Sequence, residues 1–175
     1  MMSIIYVFWM YVFLFAIIGW MRGWAKELLV SFSVILSLAL NHVIRRYIPL
    51  AANLADTDVS LFWVRSIILL VLVYFGYQTV ISIPHLAAKG RTEKLQDTLF
   101  GAFLGGLNGY LVAGSILYYI DRTGYAFQNV IQAPQGDMAV AVQQMMQYMP
   151  PQLLGEPGIY FAIILAFVFV LVVYI

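Results

Sequence analysis

The sequence contains no cysteine and few charged residues. Without cysteine, disulfide bonds, thiol redox chemistry and cysteine-ligated metal or iron–sulfur centres are excluded. Charged residues make up 10% of the 175 positions, whereas a soluble domain averages about 25%. The net charge of +1 excludes a strongly basic surface for nucleic acid. The scarcity of charge therefore indicates a membrane protein that does not bind nucleic acid.

Long apolar runs dominate the composition, with 63% hydrophobic residues and a mean hydropathy of +0.91. A helix needs about 20 predominantly apolar residues to cross about 30 Å of hydrocarbon. Four segments meet this requirement and a fifth is just long enough. They are Met1–Met21, Glu27–Ile44, Leu61–Ile83, Asp97–Asp121 and Gly158–Ile175. The sequence predicts an all-α integral membrane protein with a four-helix transmembrane bundle and a fifth C-terminal transmembrane helix.

The fourth predicted span carries small residues in a regular row. Asp97, Gly101, Gly105 and Gly109 recur every fourth position, so they share one face of a helix. In lipid, where no hydrophobic force drives helices together, small residues at this spacing let a neighbouring helix approach closely. We therefore expect this helix to be central, with the second and third helices packed around its glycine row.

Polar residues also recur along the spans, and two interpretations are open. They either line a hydrated path or form hydrogen bonds between helices in a dry bundle; such bonds average about 0.6 kcal/mol in membranes. In the second interpretation Ser33 and Ser37 pack helices together. The absence of a charge in mid-span argues against a proton relay. The residues are Ser33, Ser37 and Asn41 in the second span, Tyr74, Gln78 and Ser82 in the third, and Asn108 in the fourth.

Three charged residues at span ends are candidate functional groups. Arg22 and Glu27 flank the first turn between helices. They either form a functional ion pair or act as a membrane-surface anchor and a carboxylate that complements the helix dipole. Asp97 is either an intramembrane carboxylate, which is a functional candidate, or a cap at the start of the fourth helix, where Thr92 is a second candidate cap.

The sequence offers little that points to catalysis or to a cofactor. His42 and His85 are the only histidines, and each either ligates a haem or pigment or forms an ordinary hydrogen bond. No Gly-x-Ser-x-Gly, HExxH or phosphate-loop motif occurs. We therefore predict a protein that is not an enzyme and that has no metal site and no cofactor.

Between the fourth and fifth spans, residues 122–157 form the longest non-spanning stretch. Within it, Asp137–Met149 predicts an amphipathic helix at the membrane interface, ended by two prolines. Its apolar face gathers Met138, Val142, Met145, Met146 and Met149. The predicted organisation is thus a bundle over residues 1–121, a loop with the interfacial helix over 122–157, and a terminal helix over 158–175.

Basic residues are distributed unevenly among the connections. The first and third carry more of them than the second and fourth, and most of the opposing charge lies at helix ends. The positive-inside rule then predicts an N-terminus outside and both basic turns in the cytoplasm. The residues are Arg22, Lys26, Lys89, Arg91 and Lys94 against Arg45, Arg46, Arg122 and Arg65.

Two short motifs resemble the colicin V production protein family. The segment GWMRGWAKELL at residues 19–29 has a glycine, an Arg-Gly-aromatic triplet, then a basic residue and a glutamate. The segment KLQDTLFGAFLGG at 94–106 is similar to the start of the family's fourth helix. The resemblance covers residues 1–121, including helix order and loop lengths. Two departures are Ser3, where family members often have an acidic residue, and the fifth hydrophobic segment.

This resemblance implies a small multi-pass protein of the bacterial inner membrane, with four spans and an outward N-terminus. Members of the family are associated with colicin export, envelope stress tolerance and purine-linked phenotypes, and some relatives use the bundle to anchor a protease. Our first hypothesis is a non-enzymatic membrane protein that acts through partner binding in envelope maintenance or transport. The alternatives are an accessory subunit of a respiratory or photosynthetic complex and a small oligomeric channel or transporter.

Overall fold

The computed structural model describes residues 4–79 and 94–174, and every regular element in these two ranges is helical. Four helices there are long and apolar enough to cross a membrane. They are α1 (Ile4–Arg22), α2 (Trp24–Tyr47), α4 (Val59–Thr79) and α5 (Lys94–Arg122). The prediction of an all-helical protein with a four-span bundle is confirmed. Ser82, His85 and Thr92 lie outside the described residues.

Four shorter helices complete the described architecture. A single turn, α3 (Pro49–Ala52), follows α2. After α5 come α6 (Asp137–Met146), α7 (Pro150–Leu153) and α8 (Gly158–Tyr174). At 17 residues, α8 is about 26 Å long, which is shorter than the four spans. The sequence placed the end of the methionine-rich helix at Met149, whereas α6 ends at Met146 and Met149 is in the extended conformation before α7.

The glycine row of α5 packs against α1. Gly101, Gly105 and Gly109 are all buried, and the backbone of α1 lies directly over them. A Cβ atom added at Gly105 would lie 2.8 Å from the Cα atom of Gly19, and one added at Gly101 would lie 3.0 Å from the Cα atom of Gly23. The glycines of the two helices therefore permit an approach of backbone to backbone.

This packing corrects the predicted arrangement, in which the second and third helices surrounded the glycine row. The glycine row does lie on the fourth span, as predicted, but the helix that packs against it is the first one. The reason is that the end of α1 and the residue that follows it provide a pair of small residues at the same spacing, Gly19 and Gly23. The third span has a single glycine, Gly76, and it packs instead against Ser33 of α2.

The chain passes from α1 to α2 through Gly23, whose φ angle is +87°. This conformation is rare for residues with a Cβ atom and costs glycine nothing. A Cβ at this position would also lie 2.6 Å from a carboxylate oxygen of Asp97. Gly23 is therefore required for both its backbone angle and the close approach of Asp97.

Apolar side chains fill the middle of the bundle on the other side of α5. Val30 and Val34 of α2 and Leu69 of α4 are fully buried, and Leu111 and Val112 of α5 join the same cluster. This cluster separates the two ends of the bundle, at each of which polar groups gather. One of these polar ends lies beside the α1–α5 interface. The apolar cluster lies between it and the other polar end.

The segments after α5 pack back onto the bundle. Val142 and Met146 of α6 and Met149 are buried in one cluster with Phe8 of α1 and Leu117 of α5. Met138, which was assigned to the same apolar face, is 40% exposed. α8 lies along α2, with Ile159 buried in the main core and Phe167 stacked near Phe32 at a ring distance of 6.5 Å.

Candidate functional site

A buried carboxylate occupies the end of the bundle where α1 turns into α2. Glu27 has no exposed side-chain surface. Arg22 Nη1 donates a hydrogen bond to Glu27 Oε1 at 3.0 Å, and Asn108 Nδ2 donates to Glu27 Oε2 at 2.9 Å. Each carboxylate oxygen thus has its own donor, from a different part of the chain. A fully buried charge needs such compensation, because desolvation alone would make it prohibitively costly.

Asn108 holds more than the carboxylate. Its Nδ2 also donates to the backbone oxygen of Glu27 at 2.9 Å, and its Oδ1 accepts a hydrogen bond of 2.6 Å from Ser31 Oγ. Ser31 Oγ lies 3.1 Å from the same backbone oxygen. These bonds lock the first turns of α2 onto the middle of α5, and both polar groups of the Asn108 amide are satisfied.

Arg22 connects this network to the remaining span. Its Nη2 donates to the backbone oxygen of Tyr77 at 3.2 Å, and its guanidinium carbon lies 4.2 Å from the centre of the Tyr77 ring. The arginine therefore makes a hydrogen bond and a cation–π contact with α4. All four spans contribute to what we call the Glu27 network: Arg22, Glu27, Ser31, Tyr77 and Asn108.

Asp97 lies close by, on the first turn of α5. Its Oδ1 accepts a hydrogen bond of 3.1 Å from the backbone N–H of Trp24, the first residue of α2. The first four N–H groups of a helix lack partners within it, and a carboxylate there also complements the helix dipole. Asp97 thus caps α2 from across the α1–α5 interface. In the capping interpretation of the sequence, it was expected to cap the start of the fourth helix, on which it lies.

The structure divides the predicted polar row of α2. Ser33 Oγ bonds within its own helix to the Leu29 oxygen at 2.9 Å and faces Gly76. Ser37 is fully buried, and its hydroxyl has no hydrogen-bond partner among the described residues. Asn41 lies at the opposite end of the bundle, where its Nδ2 is 3.5 Å from the hydroxyl of Tyr119. These three side chains do not join the Glu27 network.

Sequence reasoning missed two members of the network, Ser31 and Tyr77. Ser31 follows Glu27 by four residues, so the two share a helix face; this spacing was the available signal. Tyr77 is recognisable only from the packing, because nothing in the sequence of α4 distinguishes its inward-facing side from its lipid-facing side. Asn108 was identified as a residue that either lines a hydrated path or forms a hydrogen bond between helices; in the structure it forms such a bond, and its partner Glu27 was not predicted.

The opposite end of the bundle carries a second set of ion pairs. Asp56 accepts hydrogen bonds from Arg45 and, at 3.2 Å, from Arg65. The Arg45 guanidinium holds the pKa of the Asp56 carboxyl below its usual range. Glu156 likewise pairs with Arg46, and hydrogen bonds from Tyr160 and His42 lower the pKa of its carboxyl.

His42 belongs to this second set of polar contacts. Its Nε2 lies 2.7 Å from Glu156 Oε1 and 3.4 Å from the Tyr160 hydroxyl. This nitrogen, one of the two in the ring that could ligate a haem or a pigment, therefore already has a partner. Within residues 4–79 and 94–174, no three histidine or acidic side chains are grouped as a metal site requires.

The Glu27 network can hold four helices in register, because its side chains come from all four spans. Each oxygen of its carboxylate accepts one hydrogen bond, Oε1 from Arg22 and Oε2 from Asn108. The fold and this site define a helical integral membrane protein whose spans are joined at one end by a buried ion pair.

The profile of the family described as Colicin V production protein matches residues 5–135, which is well over half of the chain. The chain belongs to this family. No curated protein and no solved structure gives a significant match to it.

Removing the carboxylate tests how much the Glu27 network contributes to stability. In Glu27→Leu, the Arg22 guanidinium, which is 22% exposed, and the buried Asn108 amide each lose their carboxylate acceptor. Loss of one partner of a buried ion pair costs about 3–5 kcal/mol, so we expect the free energy of unfolding in mild detergent to fall by that order.

The double variant Arg22→Met with Glu27→Leu is the matched control. It removes both charges, and we expect it to recover most of the loss, because apolar replacement of a whole buried pair is often neutral. Arg46→Gln, at an exposed pair, should change stability little. A Glu27→Leu protein as stable as the native one contradicts the assigned role.

Proposed function

We propose that the chain is a non-enzymatic integral membrane protein that acts by binding other membrane proteins, in envelope maintenance or in transport. The observation that carries partner binding is a pair of polar side chains on the outward face of α4. Tyr74 is 60% exposed, and Gln78, one turn later, is exposed as well. Both lie within a segment that is long and apolar enough to span the membrane.

A polar side chain that faces hydrocarbon gains from a hydrogen bond to a neighbouring helix. The face around Tyr74 is apolar, since Ile67, Leu70 and Val71 are exposed in the two turns before it, and Gln78 lies at the end of the same span. A hydroxyl and an amide within such a face give a partner helix both a donor and an acceptor. We propose that a helix of another membrane protein, or of a second copy of this chain, packs on this face.

The proposal of a non-enzymatic role rests on how the charged side chains are used. Arg22 and Glu27 are bound to each other, and Arg45, Arg46, Arg65 and His42 contact carboxylates. The apolar cluster of Val30, Val34 and Leu69 lies between the two polar ends. This arrangement favours a sealed bundle that presents surfaces to partners over a single-chain pore.

Photo-crosslinking tests the partner face directly. A benzoylphenylalanine at Tyr74 conserves the aromatic shape, and we expect it to give one or a few discrete adducts in native membranes, because a partner helix lies within reach. The matched control is Phe13 of α1, which is also exposed and aromatic, and we expect no discrete adduct there. Mass spectrometry of the Tyr74 adduct identifies the partner.

The possible adducts separate the alternatives. An adduct with another protein supports partner binding, and stoichiometric co-purification of that protein through detergent favours the accessory-subunit form. An adduct between two copies of the chain favours a homo-oligomer. This result would support the hypothesis of an oligomeric channel or transporter. Equal, diffuse labelling from both positions contradicts a specific docking face on α4.

We further propose that the chain lies in the bacterial inner membrane with its N-terminus outside, α6 at the outer interface and α8 as a fifth span. Two features support this arrangement. Arg22 and Lys26 lie at the end of the bundle that we assign to the cytoplasm, whereas Arg45 and Arg65 at the other end are paired with Asp56. The whole of α8 is apolar, and it packs lengthwise on α2 from Ile159 to Phe167.

Cysteine labelling of intact cells tests this orientation, since the native chain has no cysteine. Val130 lies 83% exposed in the segment between α5 and α6. We expect Val130→Cys to react with a membrane-impermeant maleimide, and Thr92→Cys to react only after the cells are lysed. The reverse pattern would invert the orientation.

A further inference from the structure

A cavity opens at the end of the bundle opposite the Glu27 network. Its volume is about 160 Å³, several times the roughly 30 Å³ that one water molecule occupies in the liquid. The final turns of α2 and α5 and the second turn of α4 line it, together with the segment between α7 and α8. The polar lining residues are Asn41, His42, Arg45, Asp56, Arg65 and Tyr119.

The cavity wall carries an uncompensated positive charge. Arg45 and Arg65 both contact the single carboxylate of Asp56, which leaves one charge in excess. The Arg65 side chain is only 12% exposed, and its guanidinium carbon lies 5.6 Å from the ring centre of the buried Tyr119. The lining thus has one positive charge in excess, and the Arg45 side chain, which is 37% exposed, is accessible to a bound anion.

The cavity also contains a buried acceptor that lacks a donor in the described part of the chain, the side-chain oxygen of Asn41. This residue lines the cavity and is 9% exposed, and its carboxamide oxygen has no hydrogen-bond partner among the described residues. A buried acceptor without a donor is costly. The ligand that completes this site therefore carries both an anionic group for the arginines and a hydroxyl or similar donor for Asn41.

The position of the cavity identifies the source of such a ligand. It lies where the spans end, at the depth of the lipid headgroups, and Leu38, Pro151 and Leu154 form an apolar part of its lining. We propose that the cavity binds the headgroup of an anionic phospholipid, a phosphodiester monoanion bearing hydroxyl groups such as phosphatidylglycerol. This site is distinct from the partner face of α4 and does not depend on it.

Native mass spectrometry of the detergent-purified protein, with phosphatidylglycerol or phosphatidylcholine of matched acyl chains, tests the proposal. We expect one tightly bound phosphatidylglycerol per chain and much weaker binding of phosphatidylcholine. Arg45→Gln and Asn41→Leu should each weaken phosphatidylglycerol binding about ten-fold, the usual effect of losing one hydrogen bond to a charged group. Arg46→Gln is the matched control, since this neighbouring arginine pairs with Glu156 outside the cavity, and should leave binding unchanged.

A second readout separates ligand binding from misfolding. A lipid that binds only the folded state raises the melting temperature, and we expect this rise in the native protein and in Arg46→Gln but not in Asn41→Leu. Asn41→Leu has nearly the native volume and removes an unpaired acceptor, so it should fold normally without lipid. Equal losses in Arg45→Gln and Arg46→Gln, or equal binding of the two lipids, would overturn the site. Competition by soluble glycerol 3-phosphate at comparable concentration would overturn the assignment to a lipid.

Discussion

The structure depends on the approach of α1 to α5 through glycine. Lipid tails are as apolar as leucine, so helices in a membrane gain little by hiding apolar side chains from their surroundings. They gain instead from close packing and from hydrogen bonds that lipid cannot supply. Gly19 and Gly105 meet backbone to backbone, and this contact places the end of α1 and the start of α2 directly against α5.

The polar contacts follow from that approach. Because Gly23 lies against the first turn of α5, Asp97 reaches the unpaired N–H group of Trp24. Because α2 then begins beside α5, Glu27 is buried against Asn108. Neither contact would form if side chains held the two helices several ångströms further apart. The two motifs shared with the family, at 19–29 and 94–106, contain the two sides of this contact. The Glu27 network therefore fixes the arrangement of the four spans at this end of the bundle.

The sequence predicted the spanning helices well, but it predicted less well which helices pack against each other. The number and order of the spans follow from hydrophobicity and length, and the four-span bundle was confirmed. The prediction of the glycine row's partner was wrong because apolar side chains dominate both α1 and α4, and their sequences do not mark which face turns inward. Gly19 and Gly23 were the available sign. Among the charges, a pairing of Arg22 with Glu27 was one of two interpretations, whereas the cap from Asp97 to Trp24 joins residues 73 positions apart and depends on packing. The fifth span, the interfacial helix and the division into three segments stay predictions.

Disulfide trapping tests the α1–α5 contact most directly, since the native chain has no cysteine to interfere. A Cβ atom at Gly106 would lie 3.6 Å from the Cβ of Ala16, within the usual separation for a disulfide. Ala16→Cys with Gly106→Cys should therefore cross-link rapidly and nearly completely in native membranes under mild oxidation. The matched pair of Ala16→Cys with Leu107→Cys, turned about 100° around α5, should stay reduced. Failure of the first pair to cross-link, or equal rates for the two pairs, would contradict the packing on which the whole arrangement depends.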